Sequence, residues 1–179
     1  RVVLIGPILP FRGGIAQHTT MLHRTLPELA DHLTVSFTRQ YPSWLFPGES
    51  DRDAAFEGHQ EAGVEYLIDS LNPLSWRKAK GRVLAFRADI VILPWWTVYW
   101  APCFGYLARA LRRHGLTVVF FCHNVVEHES AEWKARLTKW VLSYGSRFVV
   151  HTRDDAANLR RLIPNACVSV HAHPIYDQF

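Results

Sequence analysis

The chain has 179 residues, of which 49% are hydrophobic and 20% are charged, and its formal net charge is +4. This length and this balance predict one globular domain with its own core, and they exclude a disordered chain. The mild positive charge is compatible with a phosphate-bearing ligand, an anionic membrane surface or a nucleic acid.

Three scattered cysteines, Cys103, Cys122 and Cys167, form neither a disulfide framework nor a C-x-x-C metal site. Cys122 lies inside an apolar run, so we expect a reduced and buried thiol there. No run of about 18 uncharged apolar residues and no signal peptide is found, which predicts a cytoplasmic protein. Because the sequence starts at Arg1, almost inside its first predicted strand, we expect it to be a piece of a longer protein.

Short apolar runs alternate with helical patterns along the whole chain. Several runs are continuous rather than alternating, as is typical of parallel strands that are buried on both faces. This order predicts a doubly wound, Rossmann-like α/β domain with a parallel sheet of roughly six or seven strands and the first strand in a central position. The predicted strands are Val2–Ile5, Leu33–Phe37, Val64–Ile68, Ile90–Leu93, Val118–Cys122, Phe148–Val150 and Cys167–Val170.

The predicted helices lie between the strands and follow from three- and four-residue spacing. One follows the first strand, one ends near Gly115, one spans residues 131–144, and one begins after Thr152, a good N-cap. The segment 40–63 is interpreted as a long surface connection. The apolar faces consist of Ile15, Leu22 and Leu26 in the first of these helices, Leu107 and Leu111 in the second, and Leu137, Trp140, Val141 and Tyr144 in the third.

The loop after the first predicted strand, G-P-I-L-P-F-R-G-G, leads directly into a helix. In an open α/β sheet, ligands bind beyond the carboxyl ends of the strands, which is where this loop lies. Gly13 and Gly14 would let backbone N–H groups approach an anion at the helix N-terminus, and Arg12 adds positive charge. The loop therefore predicts a site for a phosphate or a diphosphate. The alternative is that the two glycines only form a tight turn.

The loop after the fifth predicted strand begins at His123 and contains the pattern H-x-x-x-E-H. This pattern is one residue longer than the H-x-x-E-H zinc motif, so we expect no metal. The position of His123 at a strand end predicts a polar or proton-handling residue, and the alternative is a structural histidine.

Aromatic residues are concentrated in two places. Trp95 and Trp96, in L-P-W-W-T-V-Y-W after the fourth strand, are candidates for stacking on sugar rings or for packing beneath a helix. Trp44-Leu45-Phe46 and the basic stretch 77–82 prompt the hypothesis of peripheral contact with the inner face of a membrane. For the basic stretch, a solvated helix face is the alternative.

Taken together, three stretches resemble the N-terminal domain of a GT-B glycosyltransferase of the retaining family GT4. They are G-G-I-A-Q-H-T, then F-F-C-H-N with E-H-E behind it, and finally V-V-H-T-R-D-D-A-A-N-L-R-R-L. The resemblance covers essentially the whole chain. It implies an enzyme that moves a sugar from a nucleotide-sugar to an acceptor hydroxyl with retention. Residues 1–179 would be the acceptor-side half, inactive alone, and the donor-binding half with its acidic E-x7-E motif would be a second domain.

The resemblance also implies roles for particular residues. Gly13 and Gly14 match the glycines that reach the donor diphosphate, and His123 matches the histidine that lines the reaction centre. Family GT4 generally works without a metal, so no cofactor is implied beyond the nucleotide-sugar itself. The implied partners are this donor and a polysaccharide, lipid-linked or other glycan acceptor, not a nucleic acid. We place the rest of the cleft at Arg12, Gln17, His18, Trp95, Trp96, Asn124, Glu127, Thr152 and Arg153.

Two other functions remain open from the sequence. An NAD(P)-dependent oxidoreductase needs G-x-G-x-x-G and an acidic residue at the end of the second strand, whereas that strand ends here in Phe37-Thr38-Arg39. A non-catalytic nucleotide- or phosphate-binding domain has the same fold and needs no second half. Nucleic-acid binding is disfavoured because the basic residues are dispersed.

Overall fold

The computed structural model describes residues 1–42, 51–56, 58–125 and 132–172, and these form a single parallel sheet flanked by helices. All seven predicted strands are present, and the order across the sheet is β3-β2-β1-β4-β5-β6-β7, so the first strand is internal as predicted. Every neighbouring pair is parallel. The strands are β1 Val2–Ile5, β2 His32–Arg39, β3 Val64–Asp69, β4 Ile90–Trp95, β5 Thr117–Cys122, β6 Arg147–Val150 and β7 Val168–Val170.

The helices lie on both faces of the sheet. From β1 to β3 the chain moves towards one edge, and from β3 to β7 it moves towards the other. Because such crossovers are right-handed, the helix after β1 lies on one face and the later helices lie on the opposite face. The helices are α1 Gly14–Thr25, α2 Pro73–Ala85, α3 Ala101–Arg113, α4 Glu132–Leu142 and α5 Arg153–Leu162, with 3-10 turns at Leu26–Glu28, Ala54–Phe56 and Val98–Trp100.

The strands differ in how completely they are covered. In β1, Val3, Leu4 and Ile5 are fully buried, as the continuous apolar run predicts. In β5 the burial alternates, since Val118 is fully buried while Phe121 is only half-buried. The expectation of burial on both faces is therefore right for β1 and wrong for β5. On the α1 side, the described residues place no helix over the sheet beyond α1 itself.

Cys122 has the environment that the sequence predicts, and Cys103, for which no prediction was made, shares it. Cys103 and Cys122 are free and buried. Burial raises the pKa of both thiols, and the nearby carboxylate of Asp155 adds to the effect at Cys122. Cys167 is free and exposed.

The apolar stripe that was predicted for residues 131–144 lies on helix α4, and only part of it faces the core. Val141 is fully buried, but Leu137 and Trp140 stay exposed, and the helix ends at Leu142 rather than at Tyr144. The Trp140 ring rests on α3 at Gly105, where an added Cβ would overlap it. The predicted helix is confirmed, and its apolar stripe divides between a buried side and an exposed side.

The described part of the connection between β2 and β3 packs against the glycine loop. The Arg12 N–H donates to the Asp51 carbonyl at 2.9 Å, and the Asp53 N–H donates to the Pro10 carbonyl at 2.7 Å. Phe11 and Arg52 form an isolated antiparallel bridge. The connection thus supports the loop. The hypothesis for residues 44–46 lies outside the described residues. Within those residues, no helix has the length and apolar character needed to cross a bilayer.

Candidate functional site

The glycine loop reaches the carboxyl edge of the sheet and ends at the N-terminus of α1. Gly13 is the N-cap residue and has φ 100° and ψ 164°, a conformation that only glycine adopts readily. No side chain caps this helix end. Gly13 and Gly14 are exposed, and an added Cβ on either would meet nothing within 4 Å. The N-terminus of α1 therefore begins at two exposed glycines and has no side-chain cap, as an anion site requires.

The loop is held in place from behind. The Leu9 N–H donates to Thr20 Oγ1 at 3.1 Å, and the Tyr66 hydroxyl donates to the Leu9 carbonyl at 2.8 Å. Phe11 is buried and packs edge-on against Phe37. These contacts fix the loop backbone, so that the helix N-terminus is preorganised rather than assembled by a ligand.

Three histidines meet beside this loop. His18 comes from α1 and is 3% exposed, His123 directly follows β5, and His151 directly follows β6. The ring centroids are 4.8 Å apart for His18 and His123, 5.9 Å for His18 and His151, and 5.0 Å for His123 and His151. The Phe121 ring packs against all three rings. We call these residues the histidine cluster.

Hydrogen bonds assign the tautomers of two of these rings in their neutral forms. His151 Nδ1 lies 3.1 Å from the carbonyl of His171, and since a carbonyl only accepts, this nitrogen carries the proton. His151 Nε2 is then an acceptor, so the contact of 3.3 Å to His123 Nδ1 makes that nitrogen the donor. It follows that His123 Nε2 keeps its lone pair and has the chemistry of a hydrogen-bond acceptor or base.

Other predicted site residues lie at the same edge of the sheet. Gln17 is half-buried in α1, and Arg12, Asn124 and Arg153 are exposed around the loops. Thr152 is used as the N-cap of α5, because its hydroxyl accepts from the Asp155 N–H at 3.0 Å and donates to the Asp155 carboxylate at 2.6 Å. The prediction for Glu127 lies outside the described residues.

The two tryptophans at the end of β4 divide between the two alternatives that the sequence left open, ligand stacking and packing in the core. Trp95 is 2% exposed and belongs to the core, so its ring has no face to offer to a sugar. Trp96 is half-buried, donates through Nε1 to the Tyr41 hydroxyl at 3.1 Å and packs against Trp100. Of the two, only Trp96 has surface left for a ligand. The β4 sequence is apolar through Trp95, and strand pairing with β5 continues to that residue.

The sequence analysis missed His151 as a site residue. It occupies the position after β6 that His123 occupies after β5, and β5 and β6 are neighbours in the sheet. The carboxyl ends of neighbouring parallel strands meet at one edge, so this equivalence was the available signal.

The described residues fit neither a metal site nor the ribose contact of a dinucleotide site. Across residues 1–42, 51–56, 58–125 and 132–172, no group of three His, Cys, Asp or Glu side chains is arranged to hold a metal ion. β2 ends at Arg39, whose guanidinium forms an ion pair with Asp69 at 2.7 Å. The end of β2 therefore presents a cation where an NAD-binding domain needs a carboxylate for the ribose.

Comparison with known proteins identifies a family and several solved structures with a similar fold. The model of Glycosyltransferase Family 4 matches residues 12–176. No curated protein matches the chain. Among solved structures, an alpha-glucosyltransferase in complex with UDP and a 13-mer DNA has a TM-score of 0.59 at 12% identity, covering 97% of this chain and 42% of that chain.

Two further solved structures are similar. A complex of alpha-glucosyltransferase with UDP-glucose and DNA has a TM-score of 0.53 at 12% identity, covering 98% of this chain and 41% of that chain. A sucrose-phosphate synthase from Thermosynechococcus elongatus has a TM-score of 0.55 at 11% identity, covering 99% of this chain and 91% of that chain. At these identities the likeness shows the fold alone. This chain spans less than half of the alpha-glucosyltransferase chains, and its fold is one half of a GT-B architecture.

Proposed function

Because the chain belongs to glycosyltransferase family 4, we propose that it is the acceptor-side domain of a retaining glycosyltransferase. The enzyme transfers a sugar from a nucleotide-sugar to a hydroxyl of a polysaccharide, lipid-linked or other glycan acceptor. A second domain holds most of the donor, and the reaction takes place in the cleft between the two. No metal or further cofactor takes part, and the protein works in the cytoplasm.

One observation carries this proposal: the open N-terminus of α1 and the histidine cluster lie side by side at the carboxyl edge of the sheet. An uncapped helix N-terminus favours an anion such as a diphosphate. The half-buried ring of His123, held in position by the contact of its Nδ1 with His151, favours a polar group such as a sugar hydroxyl beside it. A nucleotide-sugar has a diphosphate next to a ring that carries hydroxyls. The alpha-glucosyltransferase neighbours are complexes with UDP or UDP-glucose, which supports a donor of this class.

The arrangement supports a mechanism based on charge and position. As the bond to the sugar breaks, negative charge grows on the departing diphosphate, and the N–H groups of Gly13, Gly14 and the first turn of α1 stabilise it. The imidazole of His123 lines the site beside the sugar and helps to hold it in place. The acceptor hydroxyl then attacks the anomeric carbon on the face that the diphosphate leaves, and its proton passes to the departing diphosphate.

The test is nucleotide release by the full-length protein from UDP- and GDP-sugars, with and without glycan and lipid-linked acceptor extracts. His123→Ala is expected to reduce release about a hundredfold or more, in the range that a positioned polar group contributes. Its matched control is His114→Ala, an exposed histidine at the end of α3 on the opposite edge of the sheet. Loss of a folded protein in His123→Ala would instead assign a structural role to this histidine.

A second pair of variants tests the glycine loop. Gly14→Val fills the open space before α1 and is expected to block close approach of a phosphate, which reduces release while leaving the unfolding midpoint nearly unchanged. Gly81→Val, in α2, makes the same change where space is also open but far from the site. Normal release by Gly14→Val would contradict the donor contact. If the unchanged protein and both variants release no nucleotide from any donor, the alternative of a non-catalytic binding domain is favoured.

A further inference from the structure

Helix α4 presents large apolar side chains to solvent. Trp133, Leu137 and Trp140 are 56%, 36% and 40% exposed. Residues separated by four and seven positions lie on one side of a helix, so these three form one stripe, which we call the α4 stripe. Two tryptophans and a leucine on one solvent-facing stripe are more than the scattered apolar residues of an ordinary surface.

A basic groove lies next to the α4 stripe. It has a volume of about 580 Å3 and is lined by Arg109, Arg112 and Arg113 of α3 together with Ser143 and Tyr144, which follow α4. The three arginines are exposed. Arg112 donates to the carbonyls of Ser143 and Gly145 at 2.9 and 3.3 Å, which holds its guanidinium in the wall of the groove, where its charge adds to those of Arg109 and Arg113. We call it the arginine groove.

The stripe and the groove form one continuous surface. Trp140 rests on Gly105 of α3, and Arg109 and Arg112 lie one and two helical turns beyond Gly105. Charge on this surface is strongly one-sided. Helix α3 has three basic residues and no acidic one, and α4 has three basic residues and a single acidic one, Glu132. Glu132 is already paired with Arg136 at 3.5 Å.

We propose that the α4 stripe and the arginine groove dock the protein on an anionic phospholipid bilayer. Tryptophan prefers the headgroup region, where its apolar ring and its N–H group are both accommodated. The arginines would bind lipid phosphates in the groove, since guanidinium groups match phosphate oxygens. Both kinds of residue on one surface are the pattern of an interfacial helix.

The chemistry of the surface favours a bilayer over other anionic partners. Nucleic acid would satisfy the arginines but would offer Leu137 no apolar environment. An acidic protein would need its own exposed apolar ridge to fill the stripe. The bilayer offers phosphate and hydrocarbon at adjacent depths. Docking through α3 and α4 uses a helical face of the sheet and leaves its carboxyl edge, with the histidine cluster, accessible. The proposal does not depend on glycosyl transfer.

The experiment is co-sedimentation of the full-length protein with phosphatidylcholine vesicles, with and without phosphatidylglycerol. Binding is expected only with phosphatidylglycerol and is expected to weaken at high salt. Arg109→Gln with Arg113→Gln should reduce the partition coefficient about thirtyfold, the product of two basic contacts at a charged surface. The matched control is Arg77→Gln with Lys78→Gln, which removes the same charge from exposed positions of α2. It should bind almost normally, because the proposal takes the basic stretch 77–82 to be a solvated helix face rather than a membrane contact.

The apolar half of the surface has its own variant. Trp133→Ala should weaken vesicle binding without changing its salt dependence, while Leu74→Ala, an exposed residue of α2, should not. Circular dichroism establishes that each variant is folded.

Four outcomes would overturn the proposal. The first is no binding to anionic vesicles, and the second is an equal loss in both charge pairs, which would mean that net charge alone acts. The third is equal binding to duplex DNA with the same dependence on Arg109 and Arg113. The fourth is protection of Trp133 from a soluble quencher before vesicles are added, which would mean that another domain or a second copy covers the α4 stripe.

Discussion

Gly13 and Gly14 are neighbours, but the backbone makes different demands at the two positions. Gly13 has φ 100° with ψ 164°, whereas Gly14 begins α1 with no positive φ. Neither position is crowded, since an added Cβ would have no neighbour within 4 Å. A side chain at Gly13 would therefore be disfavoured only by the backbone dihedral angles. A side chain at Gly14 would affect only a ligand that approaches the loop from solvent.

Alanine at these two positions should separate fold from function. We expect Gly13→Ala to lower the free energy of unfolding by about 1–3 kcal/mol, because a Cβ disfavours this conformation. Gly14→Ala should leave the free energy of unfolding unchanged or raise it by a few tenths of a kcal/mol, through better helix propensity and reduced freedom of the unfolded chain. Urea unfolding measures both values. Equal losses in the two variants would show that the described dihedral angles are not what distinguishes them.

His151 is a positioning residue for His123, and two isosteric changes test this role. In His151→Gln the side-chain oxygen can accept from His123 Nδ1 near the former Nε2 position. In His151→Asn the amide can still donate to the His171 carbonyl but is too short to reach His123. Nitrogen-detected NMR should find the Nδ1–H tautomer of His123 kept with Gln and lost with Asn. An unchanged tautomer in His151→Asn would remove His151 from the site.

At the scale of elements, α1 is tied to the connection before β3 by one ion pair. Arg24 of α1 donates through Nε and Nη2 to the two oxygens of Glu61 at 2.6 and 3.1 Å. His59 adds a contact of 2.9 Å to the same carboxylate. The hydrogen bond from Arg24 is the main reason that the pKa of Glu61 lies below its usual range, with partial burial opposing the shift.

The sign of this shift gives a pH prediction. A carboxylate whose pKa is lowered by folding stabilises the protein above its unfolded pKa, and the contribution disappears as the pH falls through the folded value. We expect Glu61→Gln to lower the free energy of unfolding by about 0.5–1 kcal/mol near neutral pH, because Arg24 is largely exposed. Denaturant unfolding between neutral and acidic pH should find the difference from the unchanged protein shrinking below about pH 4.

Glu28→Gln is the matched control for this pair. Glu28 is an exposed carboxylate in the 3-10 turn directly after α1. Its substitution should change the free energy of unfolding little at any pH. A constant difference for Glu61→Gln across the acidic range would mean that the amide perturbs packing rather than charge.

The sequence predicted the elements well because their signals are local. Continuous apolar runs identified the strands, and their alternation with helical patterns predicted a doubly wound parallel sheet with β1 in an internal position. Coverage was less predictable, since the burial of Phe121 and Trp140 depends on which neighbouring helix lies over each residue. The apolar pattern of α4 predicts a helix with one apolar side, but it does not reveal whether that side faces the core or solvent. Two residues of the histidine cluster, His18 and His123, were predicted, and His151 was missed. The cluster joins α1 to the ends of β5 and β6, which are distant from α1 in the sequence.

At the scale of the whole molecule, burial divides the three cysteines into two classes. Cys103 and Cys122 are buried and their thiol pKa values are raised, while Cys167 is exposed. Since the thiolate is the reactive form, a thiol reagent at mildly alkaline pH should modify one cysteine rapidly and the other two only on unfolding. Mass spectrometry of partly labelled protein should place the rapid label on Cys167. Simultaneous labelling of all three would indicate a core that opens readily.

The remaining prediction concerns residues 1–179 as an isolated chain. A glycosyl transfer that needs two domains holds donor and acceptor face to face, and this alignment supplies much of the reduction in barrier. In the isolated chain a diphosphate can meet the N-terminus of α1 at Gly13 and Gly14 and the side chain of Arg12, and all three residues are exposed. In water such contacts are individually weak, because the high dielectric constant reduces every charge interaction.

We therefore expect the isolated chain to fold, to bind nucleotide-sugars only weakly and to transfer nothing. Calorimetric titration with UDP- and GDP-sugars measures the binding, with Gly14→Val as the control for the helix N-terminus. Whatever weak heat the unchanged chain gives should fall in this variant, because its Cβ branches occupy the space before α1. Micromolar binding that is insensitive to Gly14→Val would place a complete donor site elsewhere in this domain, and the proposed division between acceptor and donor halves would then be wrong.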